Sequence, residues 1–142
     1  MSRRRDVRAR LAAAGVPSPD ADAAALIAFV AGDRGFDPLL SAEQSAHLEE
    51  LVALRCQRVP LQHLTGVAGF RYLDIAVGPG VFVPRPETEV LVDLALAEPF
   101  QTAIDLCTGS GAIALALATE AGARVVGVEK DPVALSWARR NV

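Results

Sequence analysis

At 142 residues the chain is long enough for one ordinary domain or two small ones, and 51% hydrophobic residues is enough for a core, which excludes a disordered chain. A net charge of −3 offers no global electrostatic case for binding bare nucleic acid. Two isolated cysteines, Cys56 and Cys107, lack metal or redox spacing and suit a reducing cytoplasm better than a disulfide framework.

The opening MSRRRDVRARLAAAGVPSPD imitates a secretory signal, but its apolar run Leu11 to Val16 is short and is cut off by Pro17 and Pro19. The next apolar run, Ala23 to Ala31, is flanked by Asp20, Asp22 and Asp33 and is far below the roughly 18 residues of a membrane span. A cytoplasmic protein without a membrane segment is the expectation. Arg3 to Ala14 reads as a helix with Val7, Leu11 and Ala14 on one face and Gly15 as its stop. Arginines 3, 4, 5, 8 and 10 cover the rest of that helix, either as a solvated face or as a patch for an acidic partner.

Ser18-Pro19-Asp20 predicts a helix start with Ser18 as cap, and the helix carries Leu26, Ile27, Phe29 and Val30 to Gly32. Ser41 and Gln44 have capping-box spacing, and the helix beyond repeats Leu48, Leu51, Val52 and Arg55. These short helices make a small bundle that Pro60 closes. His47 has no partner at metal spacing and reads as a surface residue, so the bundle serves recognition or acts as a scaffold.

From Gly69 the apolar period becomes two, with Leu73, Ile75 and Val77 alternating with Tyr72, Asp74 and Ala76. Gly78-Pro79-Gly80 then predicts a turn and Val81 to Val83 a returning strand, a hairpin that links two domains. Pro84-Arg-Pro-Glu-Thr-Glu89 opens a further helix in which Val90, Leu91 and Leu94 are expected to face inward.

Thr102 to Arg140 reads as strand, glycine turn, helix, strand and helix. Gly109 and Gly111 allow a tight turn, and the helix over 111–121 aims free N–H groups at its contents, as in a nucleotide site. Glu129, at the end of the second strand, stands where a carboxylate accepts ribose hydroxyls. Gly109-x-Gly111-x-x-Ala114 satisfies a relaxed dinucleotide fingerprint, whereas Asp105 would repel a pyrophosphate and suits the positively charged end of S-adenosylmethionine. The turn alone leaves both ligands open.

Pro60-Leu-Gln-His-Leu-Thr-Gly66, Gly69-Phe70, Val81-Phe-Val-Pro-Arg-Pro-Glu-Thr-Glu89, Asp105-Leu-Cys-Thr-Gly-Ser-Gly-Ala-Ile-Ala114 and Asp131-Pro-Val-Ala-Leu-Ser-Trp-Ala-Arg-Arg-Asn141, in that order, resemble the HemK/PrmC-type release factor glutamine methyltransferases. The resemblance runs from about Leu26 onward. It implies an α/β protein: a small all-α helical substrate-recognition domain over 1–68, a β-hairpin linker over 69–84, and over 85–142 the start of a class I S-adenosylmethionine-dependent, Rossmann-like methyltransferase domain. The implied substrate is the glutamine of the Gly-Gly-Gln motif of class-1 peptide chain release factors, methylated on its side-chain amide. No direct nucleic-acid partner and no metal are implied.

Carried over by motif, Asp105, Cys107, Thr108, Gly109, Ser110 and Gly111 line the cofactor and Glu129 holds its ribose. Cys107 stands where the family usually has Gly and Glu129 where it has Asp. Both departures are mild, the first on the condition that the φ of Cys107 is negative. The family grips the amide with an Asn-Pro-Pro-Tyr loop, but the one asparagine here, Asn141, is followed by Val142. The sequence therefore reads as the amino-terminal part of a longer enzyme, expected neither to methylate nor to fold its second half well by itself, because two parallel strands leave an apolar face bare. Two further readings are an NAD-type oxidoreductase and a non-catalytic module that binds release factors.

Overall fold

A computed structural model describes residues 2–32 and 38–142, so Asp33 lies outside the described residues. The chain divides into two compact units, Met1–Thr65 and Gly66–Val142.

The first unit is helical. It comprises α1 (Arg3–Ala13), α2 (Pro19–Ala31), α3 (Ala42–Cys56) and the short α4 (Leu61–Thr65). Its core is built from Val7, Leu11, Leu26, Ile27, Leu48, Leu51 and Val52, which are the positions repeating at three and four. Phe29 of the same helix is 45% exposed, with its ring 6.4 Å from that of His47. Gly15 (φ +73°) and Gly32 (φ +64°) end α1 and α2 in the left-handed conformation a side chain resists.

The Ser41 capping box forms as expected, Ser41 Oγ accepting from Gln44 N at 3.1 Å and Gln44 Oε1 from Ser41 N at 3.0 Å. Ser18 makes no side-chain cap, so the start of α2 rests on Pro19 and the first-turn acids. Asp22, only 7% exposed, accepts from Arg55 Nε at 2.7 Å, and Arg55 Nη1 also donates to Val59 O. This pair bolts α2 to α3. On the arginine-rich face, Arg4 pairs with Asp20 and Arg10 with Glu49, and Arg3 donates to Pro38 O, while Arg5 and Arg8 are exposed.

The second unit holds an antiparallel hairpin, β1 (Val67–Phe70) and β2 (Leu73–Ala76), then α5 (Glu89–Leu96) after a 3-10 turn over Pro86–Thr88. Next come β3 (Thr102–Leu106), α6 (Ala112–Ala121), β4 (Arg124–Val128) and α7 (Pro132–Asn141). β3 and β4 pair in parallel with Ile104 opposite Val126. Their connection through α6 is a βαβ unit.

The hairpin is not the one the glycines suggested. It turns at Arg71 and Tyr72, with Gly69 opposite Asp74, and residues 81–83 form no strand. The reason is tertiary: Gly78 and Gly80 are needed for close packing on α7, where an added β-carbon would lie 2.4 Å from Trp137 and 2.5 Å from Val133. The turn is held instead by Arg71 (φ +53°), whose guanidinium pairs with Glu120 on α6 and Asp93 on α5 while its N–H donates to Glu89 Oε1. Both carboxylate neighbours raise the Arg71 pKa. Phe70, Ile75 and Val77 then pack with Val92, Ala112 and Ala116 in this unit's core.

α5 also departs from expectation. Val90, Leu91 and Leu94 are more than half exposed, whereas Val92 is fully buried with Ala95 and Leu96 beside it. EVLVDLAL is apolar on nearly every side, so periodicity could not choose a face, and the Arg71 contacts to Glu89 O and Asp93 set the helix phase. Ile104, Leu106, Val126 and Val128 of the two strands are likewise exposed.

Candidate functional site

The turn between β3 and α6 reverses the chain through three left-handed residues, Cys107 (φ +62°), Gly109 (φ +58°) and Gly111 (φ +85°). Glycine adopts that conformation freely, but a residue with a β-carbon does so at a cost of about 1–2 kcal/mol. The condition that made Cys107 a mild departure therefore fails, and this residue carries strain that glycine would not. Its thiol is exposed.

Two carboxylates close the turn. Asp105, at the end of β3, accepts the Thr108 hydroxyl at 2.6 Å and the Ala114 N–H, in the first turn of α6, at 3.2 Å. Glu129, just past β4, accepts Gly109 N–H at 2.9 Å through Oε2 and, through Oε1, Lys130 N–H at 2.8 Å and Asp131 N–H at 2.9 Å. The backbone donors of Asp131, Gly109 and Lys130 hold the Glu129 carboxyl below its ordinary value, so it is ionised at neutral pH. Oε1 is fully occupied, while Oε2 keeps a position for one further donor.

Other bonds complete the scaffold. Thr108 N–H donates to Val128 O at 3.0 Å and Gly111 N–H to Thr108 O at 2.8 Å. A β-carbon on Gly127 would sit 3.0 Å from Thr108 Oγ1, so β4 approaches the turn closely only because that position is bare. Asp131 caps α7 by accepting from Val133 N and Ala134 N.

Beside the turn lies a cavity of about 140 Å³ lined in part by Cys107, Thr108, Gly109 and Ser110 together with Phe82, Arg85 and Thr88. The guanidinium of Arg85 sits 5.3 Å from the Phe82 ring. The fold thus brings Asp105, residues 107–111 and Glu129 into one connected network and sets part of the Pro-Arg-Pro-Glu-Thr segment against it. Sequence reasoning assigned no role to Arg85 or Thr88; the juxtaposition arises from the fold, and only the joint occurrence of their segment with the turn hinted at it. Glu89 of the same segment is structural, through Arg71. His47 is half exposed on α3, 3.7 Å from Glu50 and remote from this chemistry in the chain.

Residues 4–66 match the family described as PrmC N-terminal domain. The chain is 53% identical over 144 residues to a release factor glutamine methyltransferase of Streptomyces coelicolor, with 94% of this chain and 50% of that protein covered. Identity to the protein of that name from Mycolicibacterium smegmatis is 51% over 143 residues, again covering 94% and 50%. For Geobacter sulfurreducens it is 46% over 109 residues, covering 75% of this chain and 38% of the relative. The chain spans about half the length of the curated relatives it matches.

Proposed function

We propose, from residues 4–66 that match the family described as PrmC N-terminal domain and from the similarity of 94% of the chain to release factor glutamine methyltransferases, a protein that takes part in methylating a release factor glutamine. The proposed substrate is the side-chain amide in the Gly-Gly-Gln motif of class-1 factors, and the proposed methyl donor is S-adenosylmethionine. The setting is the cytoplasm, in keeping with two free thiols. Among the described residues no helix is long and apolar enough to cross a membrane.

The observation that carries the choice of cofactor is where the turn's donors go. Asp105 takes an α6 N-terminal N–H and Glu129 takes that of Gly109, so two negative groups fill the positions a pyrophosphate would need. A dinucleotide is repelled there. A cationic amino-acid end and a ribose hydroxyl both fit: the first gains from the two carboxylates, and the second has the open position on Glu129 Oε2.

In this reading Cys107 to Gly111 line the cofactor, Asp105 keeps the turn closed through Thr108, and Glu129 accepts from the ribose while tying the turn to β4. When bound, the cofactor supplies an electrophilic methyl group on a sulfonium. An amide nitrogen is a poor nucleophile because its lone pair is delocalised, so the reaction also needs groups that grip both amide hydrogens and hold nitrogen in line. The resemblance puts that grip in an Asn-Pro-Pro-Tyr sequence, which these 142 residues do not contain. The proposed division of labour is therefore cofactor binding in Gly66–Val142, substrate docking on the helical unit, and no turnover by these residues alone.

Calorimetry of the full-length protein with S-adenosylhomocysteine and, separately, NAD tests the reading. Binding of the first alone is expected. Binding of NAD alone would overturn the cofactor assignment, and steady methylation of a release factor by the 142-residue chain would overturn the division of labour.

A further inference from the structure

Asn141, the last residue of α7, uses three of the four hydrogen-bonding positions of its amide, both donors and one acceptor site. Oδ1 accepts Ala76 N–H at 2.8 Å, and Nδ2 donates to Ala76 O at 3.0 Å and to Ser110 O at 2.9 Å. Toward β2 the side chain imitates a neighbouring strand, exchanging both bonds with one residue, Ala76. Its second amide hydrogen reaches into the glycine turn, where Ser110 is buried.

Only an unbranched primary amide of this length makes the set. Aspartate has the shape and the acceptor but neither donor, and glutamine is one methylene too long. Without Asn141 the Ala76 N–H, the Ala76 carbonyl and the Ser110 carbonyl lose their partners, and partly buried polar groups left so are costly. Ser110 lies between Gly109 and Gly111, the two residues whose left-handed backbone shapes the turn. Glycines resist rotation weakly, so the peptide between them needs an external hold.

We propose that Asn141 is a positioning residue that locks the Ser110 peptide, and through it the 109–111 backbone, to the β1–β2 hairpin. It acts through the Ser110 carbonyl without touching the cofactor. Its consequence for cofactor affinity rests on the turn being the S-adenosylmethionine site, so the experiment keeps the two apart.

Amide hydrogen exchange is followed without ligand in the unaltered full-length protein, in its Asn141→Asp and Asn141→Ala variants, and in Trp137→Phe. The last removes a different bond from α7, that of Trp137 Nε1 to Pro79 O, whose acceptor lies outside the 107–111 turn. Exchange at Gly109 and Gly111 is expected to speed about tenfold in both Asn141 variants, with the paired amides of β3 and β4 within about twofold and Trp137→Phe like the unaltered protein. Affinity for S-adenosylhomocysteine is expected to fall about tenfold in the same two variants.

Equal acceleration in β3 and β4 would mean general destabilisation, and restoration of slow exchange by aspartate would mean a packing role. Either result overturns the proposal. If the unaltered protein binds no S-adenosylhomocysteine, the cofactor reading falls, while the exchange at Gly109 and Gly111 still decides the role of Asn141.

Discussion

Replacing Cys107 by glycine should stabilise the protein. The residue sits at φ +62° in the turn, where a β-carbon meets the carbonyl beyond it and costs about 1–2 kcal/mol. Glycine removes that cost but adds about 0.5–1 kcal/mol of backbone entropy lost on folding. The net gain is therefore about 0–1.5 kcal/mol and centres on about 0.75, which is roughly 3–6 °C in the melting temperature of a unit this small. Cys107→Ala is the control, since alanine keeps the β-carbon and loses only an exposed thiol, and it should leave stability within about 0.5 kcal/mol. Urea titration and thermal melting of the three proteins, read by far-UV dichroism and by the single tryptophan, Trp137, measure the difference. Equal stability of the alanine and glycine variants, or a loss in the glycine variant, would refute the claim that the turn is strained at this residue.

Acid should loosen the turn. The Glu129 carboxyl is lowered by Asp131, Gly109 and Lys130 N–H groups, and that of Glu120 by Arg71, so their contribution is complete above the ordinary value of 4.5 and disappears as pH falls through the lowered folded values. A urea midpoint flat above about pH 5 and falling below it is expected, with a shallower fall in Glu129→Gln; an unchanged slope in that variant would contradict the assignment. Gly78→Ala puts a β-carbon 2.4 Å from Trp137, and overpacking there should cost about 1–3 kcal/mol and shift the tryptophan emission, whereas unchanged emission and stability would mean the loop yields freely. Asp22→Ala takes the carboxylate partner from the partly buried Arg55 guanidinium and should destabilise the helical unit by about 3 kcal/mol, while the double variant Asp22→Ala/Arg55→Met recovers part of the loss; calorimetric melting checks both.

Much of this fold was legible along the chain. The helices of the first unit and the strand–turn–helix–strand–helix order of the second come from apolar spacing, because burial of one face imposes a period that is written locally. The Ser41 capping box is equally local, its donor and acceptor lying three residues apart. The gathering of Asp105, the 107–111 turn and Glu129 could be expected from the βαβ pattern, since a parallel pair with a short crossover puts both strand ends side by side.

Beyond the reach of the sequence were relations between segments far apart in it. Whether Gly78 and Gly80 make a hairpin turn or a bed for Trp137 depends on α7, more than fifty residues later. The face α5 buries depends on Arg71, and the sign of φ at Cys107 depends on how Thr108 is pinned to Val128 and Asp105. Asn141 offered no signal by type or spacing, yet it joins β2 to the turn, because a side-chain amide can satisfy any peptide that packing carries to it. Local periodicity chose the elements; the choice among apolar faces and hydrogen-bond partners was left to packing, where each candidate differs from the next by only a few kcal/mol.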